Sequence, residues 1–504
     1  MALASTYSAT LEGVNAHLVT VEANIGPGLP GTYMVGLGDA AVRESRDRIR
    51  TAVANSQLPW PRTKIMVSLS PANLPKSGSH FDLPIALAVL AALDPRAGRR
   101  LATTLVLGEL GLGGRLRRIE GALPLLHAAP SEVTAIIVPE ANAAEAALLG
   151  DDRIRSARTL AEVWDWLVSA RDLARPEPTL VPPVPPAPDF RDIAGQAAER
   201  HALEVAAAGG HHVLMIGPPG TGKSMLAQRL PSILPPLSAS EMIEATAIHS
   251  VSGAPHRGVV AHRPFVAPHP SLSQAALIGG GSGVARPGAV SQAHRGVLFL
   301  DEASEISPAV LDALRIPLET GMVRLTRARR EVTYPADVQL VLAANTCKCG
   351  AASPAQCTCR AHERAAHLRN ISGPLRDRID ITLLLTPHNA VLNPADAEPS
   401  APIAERVACA RERAQHRWAR AECPGHLNAR IDPTLLRRHY PATEDAMALV
   451  AAYLADGTLT QRGVDSILRL SWTLADLGAA ARPDLDHVAR AIDLRQAHAA
   501  GVFV

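Results

Sequence analysis

Hydrophobic and polar positions change their period along the chain, and each period predicts a different kind of element. Val14–Glu22 and Lys64–Ser70 (Lys-Ile-Met-Val-Ser-Leu-Ser) read as strands. Between them, Asp39–Asn55 spaces its apolar residues as an amphipathic helix does, with Arg43, Arg46, Arg48 and Arg50 mostly on the polar side. Thr104–Leu107 and Ala135–Val138 predict two more strands and Leu160–Ala170 a helix, so residues 1–170 are expected to form an α+β domain. Further on, His212–Ile216, Val297–Leu300 and Val338–Ala344 are short, continuous apolar runs, the pattern of buried strands. Val323–Thr333 alternates as a hairpin does, and from Ala404 onward the pattern is almost wholly helical. Proline sets the joints. Arg175–Pro188 is a semi-rigid spacer, and His388–Pro402 is a second break. The expected divisions are 1–170, a linker at 171–188, a core at 189–387 and a helical module at 388–504.

The first apolar run leads into Gly217-Pro218-Pro219-Gly220-Thr221-Gly222-Lys223-Ser224, which fits G-x-x-x-x-G-K-[ST]. Met225–Leu230 reads as a helix stopped by Pro231. Strand, glycine loop and helix stand in the order a phosphate-binding loop requires. The loop N–H groups and the helix N-terminus face an anion. Lys223 would neutralise the terminal phosphates of ATP and the Ser224 hydroxyl would ligate Mg²⁺. The second run delivers Asp301 and Glu302 to the same sheet edge. Asp301 suits the magnesium shell and Glu302 the attacking water. The third ends in Asn345, an amide able to reach the γ-phosphate or the water.

Composition narrows the picture. A formal charge of +2 over 504 residues leaves no global signature of nucleic-acid binding, so any basic surface is local. The hairpin supplies one candidate, Arg324, Arg327, Arg329 and Arg330. These suit sequence-independent phosphate contacts, or a strand edge guarded by charge. Aromatic residues make up 3% of the chain and none lies in the hairpin, which argues against base stacking. Lys64, Lys76, Lys223 and Lys348 are the only lysines, which sharpens the placing of Lys223 in the loop. Cys347, Cys349, Cys357 and Cys359 form C-x-C-x₇-C-x-C inside an expected insert at 345–360, leaving zinc, reduced thiols or a disulfide open. Cys409 and Cys423 read as packing residues. The N-terminus lacks a basic patch followed by an apolar stretch, and Leu83–Leu93 is too short to span a bilayer. A cytoplasmic protein with no membrane partner is expected.

The order of phosphate loop, Asp-Glu strand, Asn strand and Ser372-Gly373-Pro374-Leu375-Arg376-Asp377-Arg378-Ile379-Asp380 resembles AAA+ ATPases of the magnesium-chelatase type. Phe81-Asp82-Leu83-Pro84-Ile85-Ala86-Leu87 and Ala206-Ala207-Ala208-Gly209-Gly210-His211 narrow this to the YifB/ComM subfamily, whose characterised member is a DNA branch-migration helicase. The resemblance spans nearly the whole chain. It implies an α/β fold, with an AAA+ P-loop NTPase core between an N-terminal ribosomal-S5/Lon-like α+β domain and a C-terminal all-α lid. It also implies a homo-hexameric ring with ATP at the subunit interfaces, acting on single-stranded or branched DNA. A chelatase-like remodeller of a protein partner is the other reading. In this family's terms Arg378 is the finger reaching a neighbouring subunit, although Arg376 stands where the family carries an apolar residue. Asn345 is then sensor 1, Arg462 is similar to the sensor-2 arginine, and Asp192–Gln196, with Ile193, lies over adenine. Leu277–Gly283 looks like the helix-2 insertion and the arginine hairpin like the pore-facing presensor hairpin.

The N-terminal phrases Leu107–Arg117 and Val138–Asn142 resemble the Lon protease domain. Ser77 and Ser79 fall in its nucleophile region, but Ile119–Leu125, where the base lysine belongs, contains none. A scaffold or DNA-contacting role is expected instead of peptidase activity.

Overall fold

The computed structural model describes residues 2–36, 38, 40–169, 171–177, 188–193, 195–253, 258–281, 285–327, 330–351, 356–386, 397–423 and 427–496. Much of the linker and most of the 388–402 break therefore lie outside the described residues, as does part of the Leu277–Gly283 tract.

The N-terminal part is built on one mixed sheet. β1 (Ala2–Glu12) and β2 (Asn15–Gly26) pair antiparallel over their whole length, Ala2 opposite Ile25 and Glu12 opposite Asn15. β3 (Gly31–Val35), β4 (Lys64–Ser70) and β5 (Thr104–Val106) follow, then a small separate hairpin of β6 (Glu109–Leu110) and β7 (Leu116–Arg117). β8 (Ala135–Pro139) and β9 (Ile154–Ala157) complete a seven-stranded sheet of order β3-β4-β2-β1-β5-β8-β9. The hydrophobic pattern does not announce β1. Its inward side carries Thr6, Ser8 and Thr10 as well as alanines, and Thr6 satisfies its buried hydroxyl by donating to the Thr104 carbonyl at 2.9 Å. The most apolar run of the sequence becomes the helix Asp82–Ala91, buried on every side, which is why it shows no polar face. Its first residue, Asp82, has no exposure and is gripped through two bonds by Arg48, so this half-buried arginine of the helix Ala40–Asn55 is a clamp partner and not a freely solvated charge.

The central part adds β10 (Val213–Ile216), β11 (Phe265–Val266), the short pair β12 (Gly279–Gly280) and β13 (Arg286–Pro287), and β14 (Val297–Leu300). The hairpin of β15 (Met322–Arg327) and β16 (Arg330–Pro335), then β17 (Gln339–Ala344) and β18 (Ile381–Leu384), come after. β11, β14, β17, β10 and β18 lie side by side in that order, every pair parallel. Parallel strands deliver all their C-terminal ends to one edge, where ligands of open α/β sheets bind.

Helices Ser400–Arg420, Pro433–His439, Glu444–Ala455, Gln461–Leu477 and Leu485–Gln496 form the C-terminal part. Their apolar faces share a core with the sheet: Val407, Trp418, Ile467 and Trp472 belong to the same packed cluster as Val213, Met215 and Ile381. The N-terminal part also touches the centre, through a Gly121 N–H to Ser250 carbonyl bond of 3.2 Å and a Gly13 turn lying against Val332 of the hairpin. Among the described residues no helix is long and apolar enough to cross a membrane.

Candidate ATP site

β10 ends at Ile216 and the glycine loop turns directly into the helix Lys223–Arg229. Gly220 and Gly222 sit at φ +80° and +83°, a left-handed conformation that side chains rarely accept. The turn places Lys223 only 7% exposed, with its ammonium donating to the carbonyls of Gly217 (2.7 Å) and Pro218 (2.8 Å) and to Asn345 Oδ1 (3.1 Å). Burial pushes this lysine below its usual range, against the pull of Asp301. Thr221 braces the loop by donating to Pro218 at 2.8 Å.

Ser224 Oγ donates to Asp301 Oδ2 at 2.7 Å, and the other oxygen of Asp301 accepts from the Glu302 N–H at 2.9 Å. Glu302 is exposed and stands at φ +47°, a strained position for a residue with a side chain and a recurrent mark of functional turns. Lys223, Ser224, Asp301 and Asn345, predicted from three separate runs, thus meet as two adjacent hydrogen-bonded pairs, Lys223 with Asn345 and Ser224 with Asp301. They meet because β14, β17 and β10 are neighbours although far apart in sequence. The residues fit ATP and magnesium. All three acceptors of the buried ammonium are uncharged, so a phosphate oxygen is the charged partner it lacks in those bonds. Ser224 and Asp301 present two hard oxygens to each other, the donor type magnesium takes.

Gln196 was not singled out individually. Its Nε2 donates to the Thr221 carbonyl at 2.8 Å, while its buried Oε1 has no hydrogen-bond partner among the described residues. The only sequence signal for it was the resemblance of Asp192–Gln196. Ile193 is fully buried in the cluster that also holds Phe190, Val213 and Leu226.

The structure does not gather the two remaining arginines into this group. Arg378 is engaged by Glu319 and by the Pro374 carbonyl, and Arg462 is exposed in the first turn of Gln461–Leu477. In the hairpin Arg324 is exposed, 4.0 Å from Glu331, and Arg327 pairs across the strands with Arg330. Arg329, and the side chains of Arg327 and Arg330, lie outside the described residues.

No disulfide joins the four clustered cysteines among the described residues. Their sulfurs all lie within 4.8 Å of one another. The hydrogen bond from Cys347 holds the Cys349 thiol low, at about 5. Cys409 corrects the packing reading: it is exposed on Ser400–Arg420, whereas Cys423 does pack against the core. In the N-terminal part, Ser79 donates to Glu109 and the buried Lys76 donates to the Pro71 carbonyl, so neither is poised as nucleophile and base.

A parallel sheet with this loop, acid pair and helical C-terminal layer defines an AAA+ P-loop ATPase, an ATP-hydrolysing enzyme. Three family models match in series: subunit ChlI of Mg-chelatase over residues 21–142, magnesium chelatase subunit ChlI over 189–392, and its C-terminal model over 397–495. An uncharacterized protein of Mycobacterium tuberculosis is 47% identical over 500 residues, covering 98% of this chain and 99% of its own. The uncharacterized protein YifB of Escherichia coli is 38% identical, covering 98% and 97%, and the competence protein ComM of Haemophilus influenzae is 38% identical, covering 98% and 98%. The chain belongs to the YifB/ComM subfamily of magnesium-chelatase-like AAA+ ATPases. Membership implies binding of ATP and Mg²⁺ and association with copies of itself.

Proposed function

We propose that the chain is a ring-forming motor, a hexamer that couples ATP hydrolysis to movement on single-stranded or branched DNA. The observation that carries this reading is the meeting of Lys223, Ser224, Asp301 and Asn345 at the ends of three neighbouring strands. Residues 1–170 act as a non-proteolytic Lon-like domain, 171–188 as linker, 189–387 as the ATPase core and 388–504 as the lid. Gly217, Pro218, Pro219, Gly220, Thr221 and Gly222 wrap the phosphates, and Ile193 belongs to the segment that lies over adenine. Lys223 neutralises the terminal phosphates. Ser224 and Asp301 hold Mg²⁺, which supplies charge neutralisation when bound. Glu302 orients and polarises the attacking water, and Asn345 positions it. Arg378 of each protomer leaves Glu319 to reach the neighbouring site, and Arg462 contacts the nucleotide from the lid. Zinc is the ion proposed for the four cysteines, soft donors in the number a tetrahedral site takes.

DNA is favoured by the exposed Arg324 on a hairpin that also bears Arg327, Arg329 and Arg330, and by likeness to a relative named a competence protein. The second reading, remodelling of a protein partner, is favoured by the series of magnesium-chelatase models along the chain. ATP turnover with and without forked DNA, across a salt series, separates them. Stimulation and binding that weaken as salt rises support DNA. Unchanged turnover and no salt-dependent binding would move the assignment to the protein remodeller.

A further inference from the structure

The cysteine knuckle sits where it can control the ATP site. β17 ends at Ala344, Asn345 follows, and Cys347 is buried two residues later. The Gly350 N–H closes a turn onto the Cys347 carbonyl at 3.2 Å. That turn lies on the phosphate loop: a Cβ built on Gly350, at φ +66°, would stand 3.2 Å from Pro219 Cγ. Past Cys357 and Cys359 the chain enters the helix Ala361–Arg369. This helix is tied to the segment after Asp301 and Glu302, through His367 to Glu305 (3.5 Å) and Asn370 Nδ2 to the Ser304 carbonyl (2.6 Å). The knuckle therefore bridges the exits of β17 and β14 across the phosphate loop.

Its sulfurs are spaced for a metal. Cys347–Cys349, Cys349–Cys357 and Cys357–Cys347 measure 3.2, 3.6 and 3.5 Å. Four sulfurs at about 2.3 Å from a tetrahedral zinc ion stand about 3.8 Å apart, so small adjustments close the site.

We infer that this metal-closed knuckle is a positioning strut for ATP turnover, bracing Asn345 and Pro219 against each other; the inference rests on the ATP-site reading. Cys347, Cys349, Cys357 and Cys359 supply four thiolates to one zinc-class cation, and binding releases their protons to solvent. The cation touches no nucleotide. It holds the turn that keeps Asn345 within reach of Lys223.

The test uses the full chain. Zinc is counted by elemental analysis, and kcat and KM for ATP are measured before and after stripping by a chelator and re-addition of zinc alone. About one zinc per chain is expected, with kcat falling about 10–100-fold on stripping and returning on re-addition. The Cys349→Ser/Cys359→Ser double variant loses both zinc and kcat. Gly350→Ala keeps all four thiols, and with them the zinc, at the smallest backbone strain a side chain can impose there, but sets a methyl 3.2 Å from Pro219 Cγ and raises KM several-fold. This variant keeps the inference testable where the cysteine variant fails to fold. A wild-type chain that binds no zinc overturns the metal, and stripped protein with unaltered kcat and KM overturns the strut. Zinc-loaded protein that hydrolyses no ATP sinks the motor reading and the strut together, leaving the metal count standing.

Discussion

Asp380→Ala removes the carboxylate that fastens the last core strand to the C-terminal helices. Asp380 is 5% exposed. Its Oδ2 accepts from His211 Nδ1 at 2.9 Å and its Oδ1 from Ser466 Oγ at 2.7 Å. The same histidine places Nε2 2.8 Å from Thr473 Oγ1, so one buried group joins the start of β10, the start of β18 and the helix Gln461–Leu477. Burial opposes the charge on Asp380, yet the His211 bond and charge outweigh it and hold the carboxyl well below the usual carboxylate range. Both partners are almost fully buried, so solvent screening offers little relief. Removing one partner of such a pair costs about 3–5 kcal/mol, because the other is left uncompensated. With about 2.1 cal/mol/K of unfolding entropy per residue over the roughly 300 residues of core and lid, each kcal/mol moves the melting transition by about 1.5 °C, so it drops by roughly 5–8 °C. The assay is scanning calorimetry of wild type and Asp380→Ala from neutral pH downward. A depressed carboxylate stabilises the fold fully above its unfolded pKa of about 3.9, and that contribution fades as pH falls through the lower folded value. The gap between the two proteins is therefore widest near neutrality and narrows in acid. A variant melting within about 1 kcal/mol of wild type at pH 7, or a gap that widens in acid, would show that the pair does not tie lid to core.

Four further outcomes test the site. Lys223→Ala should abolish nucleotide binding measured by titration calorimetry, and tight binding retained would remove Lys223 from the phosphates. Glu302→Gln should bind ATP while turnover falls about 10²–10⁴-fold, and brisk hydrolysis would strip Glu302 of its role. Arg378→Ala should lose a large part of a finger's contribution of about 10³–10⁵. Mixing it with Glu302→Gln should partly restore turnover, because some interfaces then pair an intact glutamate with an intact arginine. Activity in the mixture no higher than the sum of the parts would refute a finger acting between subunits. Arg324→Glu should weaken DNA binding alike on every sequence and reduce the salt slope by about one, whereas an unchanged slope would return the hairpin to a solvated edge.

The phosphate loop was legible because its chemistry is contiguous: strand, glycines, lysine and serine are spaced by the covalent chain. The apolar runs before Asp301 and Asn345 were legible for a related reason, since a strand buried on both faces has no polar position to spare. β1 was not, because its interior is lined with threonine and serine, and the hydroxyls of Thr6 and Thr10 are satisfied by carbonyls far along the chain. Gln196 and His211 stood out only inside phrases that carry the family resemblance, and the role of each waited until folding set a partner 25 or 169 positions away beside it. Sequence alone thus determined that a phosphate loop, an acid pair, an arginine hairpin and four thiols exist, since each is a local pattern. Tertiary structure decided which of them share a site. Strand order β14-β17-β10, unrelated to chain order, draws Asp301 and Asn345 to the loop, whereas Arg378 remains with Glu319 in the lone protomer.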